Sequence, residues 1–492
     1  MKIFEFLSRI KNRVSYQTLF FYLTLTAGIF LRLYNIDKTL TFLGDQGRDA
    51  IIIKRMITFQ DFTFVGPPSS IGQIRLGPFY YYFIAPFLAL FNFNPVGLGV
   101  AVAFYSVVLS ILILYFFKGL VKDEVRFILF GFLMLSPILI EFSRFSWNPN
   151  LLPYTSLLTT IFFSKALQTK KTREQIRYLV LFSFFLSISL QLHYSVLFIL
   201  PVYAVFFILF LIKTDNKLKK FTAVLAPAII LFLPLMLFEL KHKFINIKLL
   251  LQFLNEDKTT NLNYSSALFN FTNTLVASSL TTYKSNLLNL GIVSIALTAG
   301  IIIKQMVYTI SSLNILLTAL IFTLMRFESL PHYLFAIIAG FYLLITLLIT
   351  QFKDKKVVFL FCIALILLWA NNYNFVFYKP KTTQIQTARK YADLIFNDIK
   401  TDSFQIIGVP FTESTATQRY FIELKGKTPL EENSAEIPKE LFVFCYRDCD
   451  NILGNDLWQI AVIKNKSIAK TWKIDNIKVF KIINEDKYKQ EN

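Results

Sequence analysis

The sequence is poor in the residues that build several common kinds of fold and site. It has 3 cysteines, too few for a disulfide scaffold, and 3 histidines, His193, His242 and His332, too scattered to predict a metal triad. Only 17% of its residues are charged against 55% hydrophobic, which excludes an ordinary soluble domain. It also lacks a convincing internal repeat. The N-terminus has no short apolar stretch with a small-residue cleavage site, so the first apolar run should be a retained span.

The chain is rich instead in long apolar runs. Crossing ~30 Å of hydrocarbon takes about 20 apolar residues in a helix. Roughly eleven runs are near that length and predict an α-helical polytopic membrane protein, with spans at residues 18–34, 96–117, 127–142, 150–167, 178–192, 195–212, 221–239, 287–303, 307–325, 333–350 and 357–372.

Basic clusters orient these spans. Lys and Arg are enriched in cytoplasmic loops, so the clusters at residues 2–13, 118–126, 170–177, 213–220 and 353–356 should share the cytoplasmic face. These clusters account for most of the net charge of +20, and on the cytoplasmic face they would lie against anionic lipid. The positive charge therefore does not indicate nucleic acid as a partner. We expect a multi-pass protein of the cytoplasmic (plasma) membrane, whose other loops are extracytoplasmic.

The alternation of faces fails if residues 79–93 cross the membrane. We therefore expect this segment to be an interfacial or partly re-entrant helix with Tyr80, Tyr81 and Tyr82 at headgroup depth. Residues 35–95 then form one long outer loop.

After Trp369 the composition becomes mixed, which predicts a transmembrane domain at residues 1–372 and a small extracytoplasmic α/β domain at 373–492. The patterns predict a helix at 385–399 and strands at 404–409, 441–446, 458–463 and 477–482. Residues 241–286 are a second outer piece. Cys445 and Cys449 either form a disulfide in an oxidising compartment or remain free thiols. Cys362 should be an ordinary apolar residue of the last span.

The polar residues outside the basic clusters concentrate on the predicted outer face, and ionisable residues near the membrane are usually functional. They predict one substrate cavity formed by the first loop, the segment 141–150, the pair 193–194 between two spans, and the segment 326–333. The predicted cavity residues are Asp45, Gln46, Arg48, Asp49, Arg75, Trp147, Asn148, His193, Tyr194, Arg326, His332 and Tyr333.

Two of these residues have simpler interpretations. Asp45 precedes a helical pattern, so it could cap the helix instead of acting on a substrate. Asp49 is the better candidate for a structural salt bridge, with Arg48 or Lys54.

This arrangement resembles the GT-C superfamily of polyprenyl-phosphate-sugar-dependent glycosyltransferases, in particular the protein O-mannosyltransferase and lipid A aminoarabinose transferase group. The resemblance is carried over residues 1–372 by an acidic motif after the first span, a helix behind it, an aromatic juxtamembrane helix and a C-terminal outer domain. Arg326 with His332 and Tyr333 loosely fits the Arg-Tyr pair common ahead of a late span. The group typically has Asp-Glu where this chain has Asp45-Gln46.

The resemblance implies a polyprenyl-phosphate sugar as donor and a lipid, glycan or protein hydroxyl as acceptor, within a membrane lipid environment. Asp45 would be the base and Arg48, Arg75 and Arg326 would hold the donor phosphate. A single carboxylate predicts inversion at the anomeric carbon. Arg144 is expected to snorkel, and Arg75 could do the same.

No metal ligand and no cofactor is assigned. Family members often carry a second Asp where this chain has Asn148, which argues against a carboxylate-bound divalent metal.

Two other functions fit a basic, many-spanning protein. A transporter or flippase would place polar residues near the bilayer midplane and often show repeated halves, whereas here the middles of most spans are nearly free of charge. A non-catalytic membrane assembly or receptor component leaves the acidic loop unexplained.

The predicted topology can be tested at residue 85. A single cysteine there should react with a membrane-impermeant reagent added outside intact cells, because the segment 79–93 lies in the outer loop. Labelling only from the cytoplasmic side would show that this segment crosses the membrane.

Overall fold

The computed structural model describes residues 16–69, 73–255, 262–281, 283, 285–447 and 449–488. The basic cluster predicted at residues 2–13 and part of the piece predicted at 241–286 lie outside these ranges. The chain divides into two compact units. We call Met1–Ile36, Thr63–Ile84 and Gly99–Tyr378 the membrane unit, and Asp37–Phe62, Ala85–Leu98 and Lys379–Asn492 the α/β unit.

Each of the predicted apolar runs coincides with a helix or a pair of short helices. The helices from the first to the last run are Tyr16–Leu33, Val96–Phe116, Asp123–Leu135, Pro137–Ser143, Leu152–Gln168, Thr172–Leu192, Leu200–Ile212, Lys217–Lys241, Ile245–Asn255, Tyr264–Ser279, Asn286–Ile302, Met306–Leu324, Phe335–Ile349 and Lys355–Ala370. Short 3-10 turns occupy Asn148–Leu151, Tyr194–Phe198, Pro331–Leu334 and Asn371–Tyr373.

The protein is a multi-pass membrane protein. Within the described residues, 6 helical stretches are long and apolar enough to cross a membrane, and they are Val96–Phe116, Thr172–Leu192, Lys217–Lys241, Met306–Leu324, Pro331–Ile349 and Lys355–Phe377. A bent pair, Asp123–Leu135 with Pro137–Ser143, would be another. The other four predicted runs lie on helices of 13 to 18 residues, so the count of eleven stays a prediction.

One span is broken by a proline. Helices Asp123–Leu135 and Pro137–Ser143 meet at an angle of 51°. Pro137 has no backbone N–H, so it cannot donate to the carbonyl of Leu133 four residues earlier. A free carbonyl in an apolar interior is costly, so it must find another donor.

Arg32 supplies that donor from the first helix. Its guanidinium is fully buried, and it donates to the carbonyl oxygens of Leu133 at 2.9 Å and Met134 at 2.7 Å. It also donates to Ser106 Oγ at 2.9 Å and to the carbonyl of Gly28 at 3.1 Å. Arg32 lies inside the first apolar run, and no local pattern around it indicates this role.

Arg144 corrects one prediction. Instead of snorkelling, its side chain is buried and donates to the carbonyls of Leu31 at 2.6 Å, Arg32 at 3.0 Å and Tyr34 at 2.9 Å. Because the last carbonyls of a helix lack intrahelical partners, a cation there stabilises the helix end.

The segment predicted to be an interfacial or re-entrant helix is helical over Phe79–Leu90. Tyr80 and Tyr81 are fully buried against protein, however, rather than facing headgroups. The Tyr80 hydroxyl lies 2.7 Å from Ser146 Oγ, and the Tyr82 hydroxyl donates to the carbonyl of Thr63 at 2.7 Å.

The α/β unit contains a four-stranded mixed sheet. Its strands are β1 (Phe404–Val409), β2 (Glu440–Cys445), β3 (Lys466–Ile474) and β4 (Ile477–Asn484), in the order β1-β2-β4-β3. β1 pairs parallel to β2, and β4 pairs antiparallel to both β2 and β3. The helices of this unit include Ile36–Thr39, Gly44–Ile57, Gln384–Phe396, Ala416–Leu424, Trp458–Ala461 and Glu485–Tyr488.

The predicted helix at 385–399 and three of the four predicted strands are present in the α/β unit. The strand predicted at 458–463 is wrong, because this stretch begins with the short helix Trp458–Ala461. Its apolar side chains Ile460 and Ile463 join the core beside β2. β3 was missed because its lysines and exposed positions give no apolar alternation. Cys445 and Cys449 form a disulfide, one of the two states that the sequence left open.

Candidate functional site

The helix Gly44–Ile57, here called the first-loop helix, carries the acidic motif. Its cap residue is Leu43, whose backbone N–H donates to Gln46 Oε1 at 3.0 Å. Asp45 therefore lies in the first turn and does not cap the helix, so the capping interpretation is wrong. A first-turn carboxylate still interacts favourably with the helix dipole.

Arg48 links the two aspartates of the motif. Its guanidinium donates to Asp45 Oδ1 at 2.8 Å and to Asp49 Oδ1 at 2.8 Å. The carboxylates differ in access, because the Asp45 side chain is 52% exposed and that of Asp49 is 0% exposed. The predicted salt bridge of Asp49 with Arg48 is thus confirmed, and only Asp45 can meet a substrate from solvent. A role for Arg48 in binding phosphate stays a prediction.

The first-loop helix packs on the helix Ala416–Leu424 within the α/β unit. A Cβ atom at Gly47 would lie 2.5 Å from the backbone nitrogen of Thr417, so only glycine allows this approach. Further along, Glu423 is buried and binds Arg55 at 2.5 Å and Lys54 at 3.5 Å.

The backbone of Arg75 is held on both sides by hydrogen bonds. Its N–H donates to Asn246 Oδ1 at 2.9 Å, and its carbonyl accepts from the Tyr194 hydroxyl at 2.7 Å and from Asn246 Nδ2 at 3.2 Å. Its neighbours Ile74 and Leu76 are buried while Arg75 itself is exposed. The loop is therefore fixed and the guanidinium is displayed. Burial raises the pKa of Tyr194, which keeps its hydroxyl a donor.

Arg326 has a different environment. It is exposed just after the helix Met306–Leu324, has a left-handed backbone with φ of 52°, and lies over the ring of Tyr264 at 5.3 Å. Such stacking leaves the edge N–H groups of a guanidinium able to bind an anion.

Four of the predicted cavity residues form one aromatic cluster in the membrane unit. The ring of His332 lies 4.8 Å from Trp147, 5.9 Å from His193 and 4.3 Å from Tyr333, and His193 lies 5.8 Å from Tyr333. Three separate sequence segments therefore meet in this cluster. Their role in binding substrate stays a prediction.

His193 is a neutral member of this cluster. Its Nδ1 accepts the backbone N–H of Ser195 at 3.1 Å, which leaves the ring proton on Nε2. Burial, reinforced by the nearby His332, lowers the pKa of His193 to about 3, so it is uncharged at neutral pH.

The Asn148 side chain makes a structural hydrogen bond. It is buried, and its Nδ2 donates to the carbonyl of Leu192 at 2.5 Å. Across the described part of the chain, no group of three or more His, Cys, Asp or Glu side chains is arranged to hold a metal ion.

Several residues of these sites could not be found from sequence. Asn246 binds the backbone of Arg75, and Glu423 binds the side chain of Arg55. In both pairs the two residues are far apart in the sequence. The only signal was the presence of an isolated polar residue among apolar neighbours. Gly77, two residues after Arg75, allows a close approach of the chain, since a Cβ there would clash with Gln191 Oε1. Gly72, the other glycine beside Arg75, lies outside the described residues.

The whole chain can be compared with solved structures. ArnT from Cupriavidus metallidurans bound to undecaprenyl phosphate superposes with a TM-score of 0.63 and 10% identity, over 94% of this chain and 97% of ArnT. The chain has the GT-C fold. The apo form of the same ArnT gives a TM-score of 0.60 at 11% identity, again over 94% and 97% of the two chains. No protein-family model and no curated protein sequence matches the chain.

A second GT-C enzyme shares the fold over a smaller part of its own length. The Archaeoglobus fulgidus oligosaccharyltransferase in its apo form superposes with a TM-score of 0.53 and 11% identity, over 86% of this chain and 65% of that enzyme. The predicted resemblance to this superfamily is confirmed at the level of the fold.

The close approach at Gly47 gives a test of how the first-loop helix is held. In a free helix, Gly→Ala adds about 1 kcal/mol of stability, but Gly47→Ala should destabilise the protein because the new methyl meets the backbone of the Ala416–Leu424 helix. Gly291→Ala is the matched control, since nothing lies within 4 Å of a Cβ at that helical position. Thermal unfolding in detergent should show a lower midpoint for Gly47→Ala alone. Equal midpoints for the two variants would contradict the packing.

Proposed function

We propose that the protein is a membrane glycosyltransferase that moves a sugar from a polyprenyl-phosphate donor to an acceptor hydroxyl. The observation that carries this proposal is the fold shared with ArnT over nearly the full length of both chains, the related structure holding undecaprenyl phosphate. Asp45, exposed in the first turn of its helix and free of capping, supplies the carboxylate that such a reaction needs.

In the proposed reaction Asp45 acts as general base. The acceptor hydroxyl gives its proton to the Asp45 carboxylate while its oxygen forms a bond to the anomeric carbon. The bond from that carbon to the phosphate oxygen breaks, and polyprenyl phosphate leaves with the electron pair. One displacement inverts the anomeric carbon. The Arg48 guanidinium lies 2.8 Å from Asp45 Oδ1 and orients this carboxylate.

Arg75 and Arg326 are the proposed phosphate ligands. A rigid backbone with an exposed guanidinium suits phosphate binding, because little conformational entropy is then lost when the ligand arrives. Arg75 fits this description, since Tyr194 and Asn246 hold its main chain. The aromatic cluster around His332 would line the space for the apolar and sugar parts of the substrates.

The first loop and the α/β unit are proposed to be extracytoplasmic, at the plasma membrane. The disulfide of Cys445 and Cys449 supports this orientation, because such bonds persist in oxidising compartments and are rare in the cytosol. The basic clusters at 170–177, 213–220 and 353–356 support it from the other face.

The proposed base gives the first activity test. Asp45→Asn should lower the transfer rate by ~10²–10⁴-fold, the usual cost of losing a positioned base, while the protein stays folded. Asp49→Asn is the matched control: it removes the same charge from the same helix, but its side chain is buried and cannot reach an acceptor. Asp49→Asn should therefore cost less activity.

The assay uses an established polyprenyl-phosphate donor and acceptor, with gel filtration to verify folding of both variants. Asp45→Asn with the activity of the parent protein would refute the role as base.

The phosphate ligands give the second test. Arg75→Ala and Arg326→Ala should weaken apparent donor affinity by about 10- to 100-fold, as expected from losing a charge-assisted hydrogen bond. Lysine at either position should weaken it less, yet measurably, because the planar fork is lost. Tyr194→Phe, which removes one of the two hydrogen bonds to the Arg75 carbonyl, should raise the donor KM more than it lowers kcat. Donor titrations that are unchanged in both alanine variants would place the phosphate elsewhere, with Arg48 as the next candidate.

A further inference from the structure

A basic cavity lies entirely within the α/β unit. It has a volume of about 400 Å³, and four cationic residues line it, namely Lys38, Lys379, Lys381 and Arg389. Asp37 is the one carboxylate residue among the lining side chains. The cavity wall is thus strongly positive, and it contains none of the residues assigned to the transfer reaction.

The cations of this cavity are not neutralised by the protein. In the described part of the chain, none of Lys38, Lys379, Lys381 and Arg389 has a carboxylate within 4.0 Å, whereas Lys390, the residue after Arg389, binds Asp475 at 2.8 Å. The Arg389 guanidinium lies over the buried ring of Phe421 at 5.1 Å. Packing of one face on the ring fixes the guanidinium, and its edge N–H groups remain able to bind an anion.

The backbone adds a favourable field. The helix Gln384–Phe396 begins at the cavity, and Thr383, its cap residue, is one of the lining residues. The N-terminus of a helix carries partial positive charge and favours anions. Arg389 lies on the same helix, so the dipole and a side-chain cation act on one space.

The chain itself keeps this cavity close to the membrane. Only Tyr378 separates Lys379 from the candidate span Lys355–Phe377, and only three residues, Tyr34 to Ile36, separate Asp37 from the first helix. An extended chain covers at most about 3.6 Å per residue. The cations that follow these helices must therefore lie within a short reach of the bilayer surface.

We infer that this cavity binds the phosphate group of an anionic lipid headgroup. Four unpaired cations around a space of about 400 Å³ suit a phosphate with its first polar substituents, and the short links to two apolar helices keep the cavity near lipid headgroups. Lys and Arg near an anionic surface each strengthen binding by about fivefold. The inference is independent of the proposed transfer, because Asp45, Arg75 and Arg326 take no part in it.

The test uses the purified full-length protein in neutral detergent with a fluorescent short-chain phosphatidic acid as probe. The double variant K381Q/R389Q should bind it about 25-fold more weakly than the parent. K390Q is the matched control, since it removes a charge from the same helix outside the cavity, and it should bind within about twofold of the parent. Arg75→Ala should also bind normally, which separates this cavity from the proposed donor site.

Two competitors distinguish the source of the phosphate. Short-chain phosphatidylcholine should displace the probe poorly, and inorganic phosphate should displace it only far above the probe concentration. Displacement by inorganic phosphate at the concentration of the probe would overturn the lipid assignment. Equal weakening by K390Q and K381Q/R389Q, or unchanged binding in the double variant, would overturn the site itself. Gel filtration of each variant verifies that a loss of binding is not a loss of fold.

Discussion

Backbone carbonyls that a broken helix leaves free inside a membrane protein must be given donors, and two arginines do this for the membrane unit. Arg32, from the first helix, donates to Leu133 and Met134 at the break before Pro137. In return Arg144, beyond the break, donates to the carbonyls at the end of the first helix. Each segment thus supplies hydrogen-bond donors to the free carbonyls of the other. These hydrogen bonds fix both the start of the first loop and the segment with Trp147.

The sequence predicted the fold well where local signals were strong. Apolar length located the helices, and strand-like apolar runs located β1, β2 and β4. The alternation of faces drawn from the basic clusters stays a prediction. Sequence-based prediction failed where tertiary contacts override local pattern. Residues 458–463 read as a strand, but begin as a short helix whose apolar side chains serve the core. Arg144 was predicted to be a lipid-facing cation, because its three backbone acceptors lie more than a hundred residues earlier and no local pattern indicates them.

The candidate residues were predicted less completely than the fold. The contacts among Trp147, His193, His332 and Tyr333 join three of the segments that the sequence assigned to one cavity, and the pairing of Arg48 with Asp49 was one of the two salt bridges predicted for this aspartate. The partners that hold these groups did not follow. Asn246 and Glu423 act over long sequence separations, and pairing at that range depends on packing that no local pattern encodes.

The packing of the first-loop helix also has a consequence for biosynthesis. The helix with Asp45 leaves the ribosome before nearly all of the spans, yet Glu423 and the backbone that receives Gly47 are made after the last of them. Until those residues are made, the face of this helix that packs on Ala416–Leu424 stays uncovered. A chain that stalls before Ala416 would present the acid on an unanchored helix. Asp45 therefore reaches its folded position only after translation has passed the last candidate span, because the α/β unit is built from segments made early and late in the chain.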